Sequence, residues 1–177
     1  HLLHDARWKS RNIGTVAEAV SMDQKYRVAI EAALGEAAYY LIVEKPADGE
    51  EAFAELMNQK AKELGLTHSH FVNSTGWPDP NHLMTARDLA VLARRIIVDF
   101  PEYYHYFSEE TFVFHGIKQG NRNPLLYKDF GADGLKTGHT DDAGFGLTAS
   151  TIRDGRRIIM VLNGLSSMQT RAEEGRR

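Results

Sequence analysis

The sequence contains no cysteine. Disulfides, thiolate catalysis and zinc sites built on cysteine are therefore excluded, although the absence does not fix the redox compartment. No apolar run approaches the ~20 residues that a membrane-spanning helix needs. Nor is there a basic stripe interleaved with aromatic residues. Lys and Arg number 21 against 24 Asp and Glu, a net charge of −3, so nothing points to nucleic acid as a partner. Internal repeats and low-complexity segments are missing too. No signal peptide is visible, and the chain opens on His1-Leu2-Leu3-His4 without a methionine, as an excised piece does.

What is present suffices for a buried core: 42% of the 177 residues are hydrophobic, and the length suits about one domain. Residues 16–34 are alanine-rich with few breakers and predict a helix. Residues 37–43 form a short apolar run that fits helix or strand alike. Pro46-Ala47-Asp48-Gly49 reads as a break. Beyond it Ala52, Phe53, Leu56, Met57, Ala61 and Leu64 recur at a helical period, and Gly65 stops the helix. A short mixed stretch, 67–75, leads into a rigid loop at 76–81. Thr85 is an N-cap, and Asp88 three residues on gives the outline of a capping box. The helix it opens runs over 86–98 with Leu89, Leu92, Ala93, Ile96 and Ile97 on one face.

After Pro101 comes an aromatic turn whose Tyr103, Tyr104, Tyr106 and Phe107 belong to the core or to a cleft wall. Residues 111–115 are a strand by their β-branched and aromatic content, and 121–124 a loop. Two alternating apolar runs, 143–152 and 157–162, are joined by the hairpin signal Arg153-Asp154-Gly155. The tail from 166 is polar, with a helix start near Arg171. Helices come first and antiparallel strands last, so the class is α+β, an antiparallel sheet flanked by helices.

Just before those two runs stands Asp133-Gly134-Leu135-Lys136-Thr137-Gly138-His139-Thr140. Lys-Thr-Gly at a strand edge is anion chemistry: a point charge, a hydroxyl donor, and a glycine that lets a ligand backbone lie close. The order excludes a phosphate-binding P-loop, in which Gly-Lys-Thr follows a longer glycine loop and precedes a helix. Taken alone, the triplet also fits a surface turn with a solvated lysine.

From Glu50 onward the chain resembles the serine-type D-alanyl-D-alanine carboxypeptidases, the low-molecular-mass penicillin-binding proteins related to serine β-lactamases. The likeness rests on Glu50-Glu51-Ala52-Phe53, on His70-Phe71-Val72-Asn73 with Pro78-Asp79-Pro80-Asn81-His82, and on Thr85-Ala86-Arg87-Asp88. It continues collinearly through Asp99-Phe100-Pro101-Glu102-Tyr103-Tyr104, Gly116-Ile117-Lys118-Gln119, Asn121-Arg122-Asn123 and the stretch from Asp133 to Thr140. The resemblance implies an incomplete DD-peptidase/β-lactamase-like fold. Residues 50–177 would be the C-terminal two-thirds of a catalytic domain, and 1–49 a poorly matched helical segment of the same domain. It implies acyl-enzyme catalysis on peptidoglycan stem peptides ending in D-Ala-D-Ala, β-lactam binding, no cofactor or metal, and work outside the cytoplasm. By matching position Lys136 is the electrostatic anchor and Thr137 bonds the terminal carboxylate. Gly138 lies along the cleft, the His139 N–H is half of an oxyanion hole, and Arg171 pairs with the same carboxylate. A solvated arginine at a helix start is the alternative for Arg171.

Two of the family's three motifs are not met in place. No serine has lysine three residues later, so Ser-x-x-Lys is absent. Ser21 and Lys25 share a helix face at a spacing of four, which is the wrong register. Where Ser-Gly-Asn is expected, near Leu34-Gly35-Glu36, only the glycine remains. Ser10-Arg11-Asn12 fits Ser-x-Asn but lies well ahead of that position, which makes Ser10 and Asn12 catalytic candidates that need an insertion. A non-catalytic module binding D-Ala-D-Ala, peptidoglycan or a protein is the competing reading. The remaining signals have plainer explanations. His68-Ser69-His70 lacks the third ligand of a metal site. Asn73-Ser74-Thr75 fits a glycosylation acceptor but is a common pattern. Asp141-Asp142 suits a solvated turn better than a carboxylate pair.

Overall fold

The computed structural model describes residues 14–15, 41–42, 46–127 and 130–177. The chain divides into two compact units, His1–Lys60 with Phe71–Asn81 and Ala61–His70 with His82–Arg177. In the first, β1 (Gly14–Thr15) pairs antiparallel with β2 (Leu41–Ile42), so part of the ambiguous apolar run at 37–43 is strand. The helix expected over 16–34 lies outside the described residues.

Helix α1 (Pro46–Leu64) starts four residues earlier than the break at Pro46 suggested. Proline at the first helical position costs nothing, because its missing N–H has no intrahelical acceptor there, and Asp48 in the first turn suits the positive end of the helix. Gly65 does end α1. Its φ of +77° lets the Gly65 N–H bond the Lys62 carbonyl while the Leu66 N–H reaches back to Ala61, and Ala61 and Leu66 close the wrap as a buried pair. Within the first unit Asn58 clamps Phe71, donating to its carbonyl and accepting from its N–H. Asn73 spends its side chain on the following loop, accepting from the Gly76 and Trp77 N–H groups and donating to the Trp77 carbonyl.

In the second unit α2 (Ala86–Asp99) opens on Thr85, whose hydroxyl accepts from the Asp88 N–H at 3.1 Å. The capping box is not completed as the spacing suggested. Instead of returning to Thr85, the fully buried Asp88 carboxylate accepts from the His68 N–H and the Ser69 hydroxyl, both at 2.8 Å. Burial alone would raise its pKa. The Ser69 and His68 bonds, with the charges of His68 and Arg87, outweigh burial and hold it below the ordinary value of 3.8. This carboxylate ties the two residues ahead of the His70–Leu83 bridge to the start of α2.

A 3₁₀ turn (Tyr104–Ser108) follows, with Tyr104 buried and Tyr103 and Tyr106 exposed. Strands β3 (Thr111–Phe114) and β4 (Ile117–Gly120) form an exposed hairpin across His115-Gly116. Strands β5 (Ala132–Thr140), β6 (Gly144–Arg153) and β7 (Arg156–Leu165) make an antiparallel sheet in the order β5-β6-β7, with the Asp154-Gly155 turn where the sequence predicts it. Helix α3 (Met168–Arg176), capped by the Ser167 hydroxyl, ends the chain.

Alternation along the strands assigns the two faces of this sheet. Ile159 packs with Ala93, Ile96 and Ile97 of α2, together with Tyr104, Phe107 and Leu135. Leu147, Met160 and Leu162 face the other way, among Leu125, Ala149 and Phe130, and α3 lies against Leu147 through Gly175. The sheet is thus covered on both faces, while β5 has one strand neighbour and one open edge among the described residues.

Candidate functional site

The Lys-Thr-Gly triplet lies on β5, not in a surface turn. Thr137 pairs with Leu147 and His139 with Phe145 across the ladder, leaving the other side of β5 unpaired. Lys136, Gly138 and His139 are exposed, and the Lys136 ammonium donates to the Thr137 carbonyl. Thr137, across the ladder from the buried Leu147, is 7% exposed. The His139 ring stacks on Phe145, centroids 3.9 Å apart.

Arg171 also lies against that phenylalanine. It is 5% exposed, and its guanidinium carbon sits 5.8 Å from the centre of the Phe145 ring. The solvated alternative is therefore wrong: Ser167 caps α3 three residues before its expected start, which carries Arg171 inward as a helical residue. Its Nη2 donates at 3.4 Å to the Arg122 carbonyl, while among the described residues Nε has no hydrogen-bond partner. Burial first, and then the like charge of Arg122, push its pKa below the usual arginine range. A buried cation beside a second cation, with an unused donor, is an arrangement that an anion completes.

Arg122 itself was not singled out from the sequence beyond its place in Asn121-Arg122-Asn123. The structure shows what that loop does. Asn121 donates to the Glu109 carbonyl at 3.0 Å and accepts from the Asn123 N–H at 2.9 Å. The fully buried Asn123 donates to the Gly134 carbonyl at 2.8 Å and accepts from the Leu125 N–H. The two asparagines hold the loop against the start of β5 and fix the backbone of the arginine between them.

At the turn joining β5 and β6 an open depression of about 360 Å³ is lined by His139, Asp141, Asp142, Phe145, Leu165 and Ser166 among others. Asp141 and Asp142 are exposed there, as a solvated turn requires. The structure thus joins His139, Phe145 and Arg171 in one contiguous group, with Lys136 and Thr137 on the same strand. Ser10 and Asn12, like Ser21, lie outside the described residues.

Three comparisons bear on this arrangement. The family model described as D-alanyl-D-alanine carboxypeptidase matches residues 11–166. The D-alanyl-D-alanine carboxypeptidase DacD of Escherichia coli is 46% identical over 132 residues, covering 74% of this chain and 34% of that protein. Penicillin binding protein 5 from Haemophilus influenzae superposes with a TM-score of 0.68 at 40% identity, over 71% of this chain and 37% of that one. Penicillin-Binding Protein D2 from Listeria monocytogenes, in its cefotaxime bound form, gives 0.66 at 30% identity over 81% and 56%. The chain spans about a third of the length of the curated relatives it matches.

Proposed function

The chain belongs to the D-alanyl-D-alanine carboxypeptidase family, and on that premise we propose that it supplies the carboxylate-recognising part of a serine-type D-Ala-D-Ala carboxypeptidase. A stem peptide ending in D-Ala-D-Ala, or a β-lactam in its place, lies antiparallel along the open edge of β5. Lys136 provides the attracting charge and Thr137 a hydroxyl at the strand margin. Gly138 keeps the edge clear of side chains, and the His139 N–H faces the reacting carbonyl oxygen. Arg171, with Arg122 beside it, takes the terminal carboxylate. The observation that carries this reading is the buried Arg171, its Nε unpartnered among the described residues, lying against the Phe145 ring on which His139 stacks.

In the family reaction a serine hydroxyl attacks the carbonyl between the two D-alanines, expels the last residue as a free amino acid, and water then releases the acyl group. These 177 residues hold no Ser-x-x-Lys, so by themselves they bind the ligand without turning it over. Residues 50–177 are accordingly the C-terminal part of the catalytic domain, and the substrate places the protein outside the cytoplasm. Among the described residues no helix is long and apolar enough to cross a membrane.

Calorimetry with an acylated peptide ending in D-Ala-D-Ala tests the binding. Reversible association is expected, weakened about tenfold or more in Lys136→Ala through loss of a charge-assisted contact, and absent for the L-Ala-L-Ala peptide. Equal affinity in both proteins, or no binding at all, overturns the reading. A labelled penicillin should not survive denaturation on this chain. A covalent adduct would mean that a nucleophile is at work, with Ser10 and Ser21 the first to replace.

A further inference from the structure

We infer that Asp133, Ser150, Arg157 and Tyr104 form a polar clamp, buried at Ser150 and Tyr104 and partly exposed at Asp133 and Arg157, that positions the Lys136-Thr137-Gly138 edge for its ligand. The β5–β6 ladder is irregular at one point: Ala132 faces Thr151 and Gly134 faces Ser150, so Asp133 is an extra residue opposite nothing. A bulge of this kind re-aims the strand beyond it, and ironing it out shifts the register by one residue and exchanges the two faces. In that slipped register Lys136 takes the inward orientation that Thr137 now has.

Four side chains hold the bulge. Asp133 accepts from Ser150 Oγ at 2.5 Å and, on its other oxygen, from Arg157 Nη1 of β7. Arg157 Nη1 also donates to Ser150 Oγ at 2.9 Å. The one proton of Ser150 is committed to Asp133, so the Tyr104 hydroxyl, 2.6 Å away, is the donor in its pair with Ser150. The Arg157 guanidinium lies 5.4 Å from the centre of the Tyr104 ring. All three strands thus meet on one carboxylate, and the 3₁₀ turn joins them through Ser150. Gly134 is what permits it: a Cβ there would stand 2.6 Å from the Tyr104 oxygen. None of these groups lies on the open edge of β5, so they are positioning residues and not catalytic ones.

The inference rests on the carboxylate-binding reading of β5 for its ligand readout only, so the test has two arms. Amide hydrogen exchange is followed in Asp133→Asn, Arg157→Met and the milder Tyr104→Phe, with Leu66→Ala as a destabilised control remote from the sheet edge. Exchange over residues 136–140 is expected to rise about tenfold more in Asp133→Asn and Arg157→Met than in α2, and by less in Tyr104→Phe. The control should accelerate the whole unit evenly. In the second arm the D-Ala-D-Ala peptide should bind Asp133→Asn about tenfold more weakly and the control unchanged. Uniform acceleration in the clamp variants, or none in β5, overturns the proposal. If the unaltered chain fails to bind peptide, the carboxylate reading falls, and the exchange arm still decides the clamp.

Discussion

Replacing Arg171 by methionine should move stability and binding in opposite directions. The side chain is almost fully buried, its Nε has no partner among the described residues, and Arg122 sets a like charge beside it. A buried donor left unsatisfied costs roughly 1–3 kcal/mol. Methionine has similar length, removes donor and charge together, and keeps a sulfur contact with Phe145 of about 0.3–1.5 kcal/mol. Set against this are the long 3.4 Å bond to the Arg122 carbonyl and a cation–π contact of roughly 0.5–1 kcal/mol. The balance favours the variant by about 1 kcal/mol, which for a chain of this size raises the melting temperature by roughly 2–4 °C. Peptide affinity should fall by about 10–150-fold, the equivalent of one charge-assisted hydrogen bond of roughly 1.5–3 kcal/mol. Thermal unfolding by circular dichroism and calorimetry on the same sample give both numbers. A variant that melts lower and binds the peptide as well as the parent would refute the reasoning and make Arg171 a structural strut.

Other perturbations follow from the same geometry. Leu147→Ala, at the most buried leucine of the sheet, should cost roughly 2–5 kcal/mol in urea unfolding without changing the slope. Gly134→Ala should cost about 1–3 kcal/mol by driving a methyl group into the Tyr104 hydroxyl, and Tyr104→Phe in the same chain should recover part of it in a double-mutant cycle. The Asp88 carboxyl has a folded-state pKa below its unfolded value of 3.8, so its contribution is fully present above that value and is lost as the pH falls through the lower one. Asp88→Asn should therefore flatten the acid limb of a stability–pH profile, and an unchanged limb would show that other carboxylates govern it.

Local signals in this sequence that name their own partners were legible. Thr85 and Gly65 announce helix ends because caps act within one turn. Asp154-Gly155 sets the β6–β7 hairpin because so short a turn admits few backbone geometries. The Lys-Thr-Gly strand was located by the alternating runs that follow it. What escaped was decided by tertiary contact. Asp88 looked like half of a capping box, but His68 and Ser69, 20 and 19 residues away, claim its carboxylate. Pro46 reads as a breaker unless the chain is known to enter the helix there. Arg171 has the composition of a surface helix around it, and only Phe145 and Arg122 show that it faces inward. Strand β4 is short and polar at Lys118 and Gln119, so its pairing with β3 carries little apolar alternation to betray it.

Nuclear magnetic resonance asks residue by residue whether the open edge of β5 is a carboxylate-binding surface. Titrating an acylated D-Ala-D-Ala peptide into nitrogen-15-labelled chain should shift the amide resonances of Lys136, Thr137, Gly138 and His139 together with the Arg171 side-chain Nε–H, saturating at one peptide per chain. Shifts confined to other strands, or a spectrum that does not move at millimolar peptide, would contradict it.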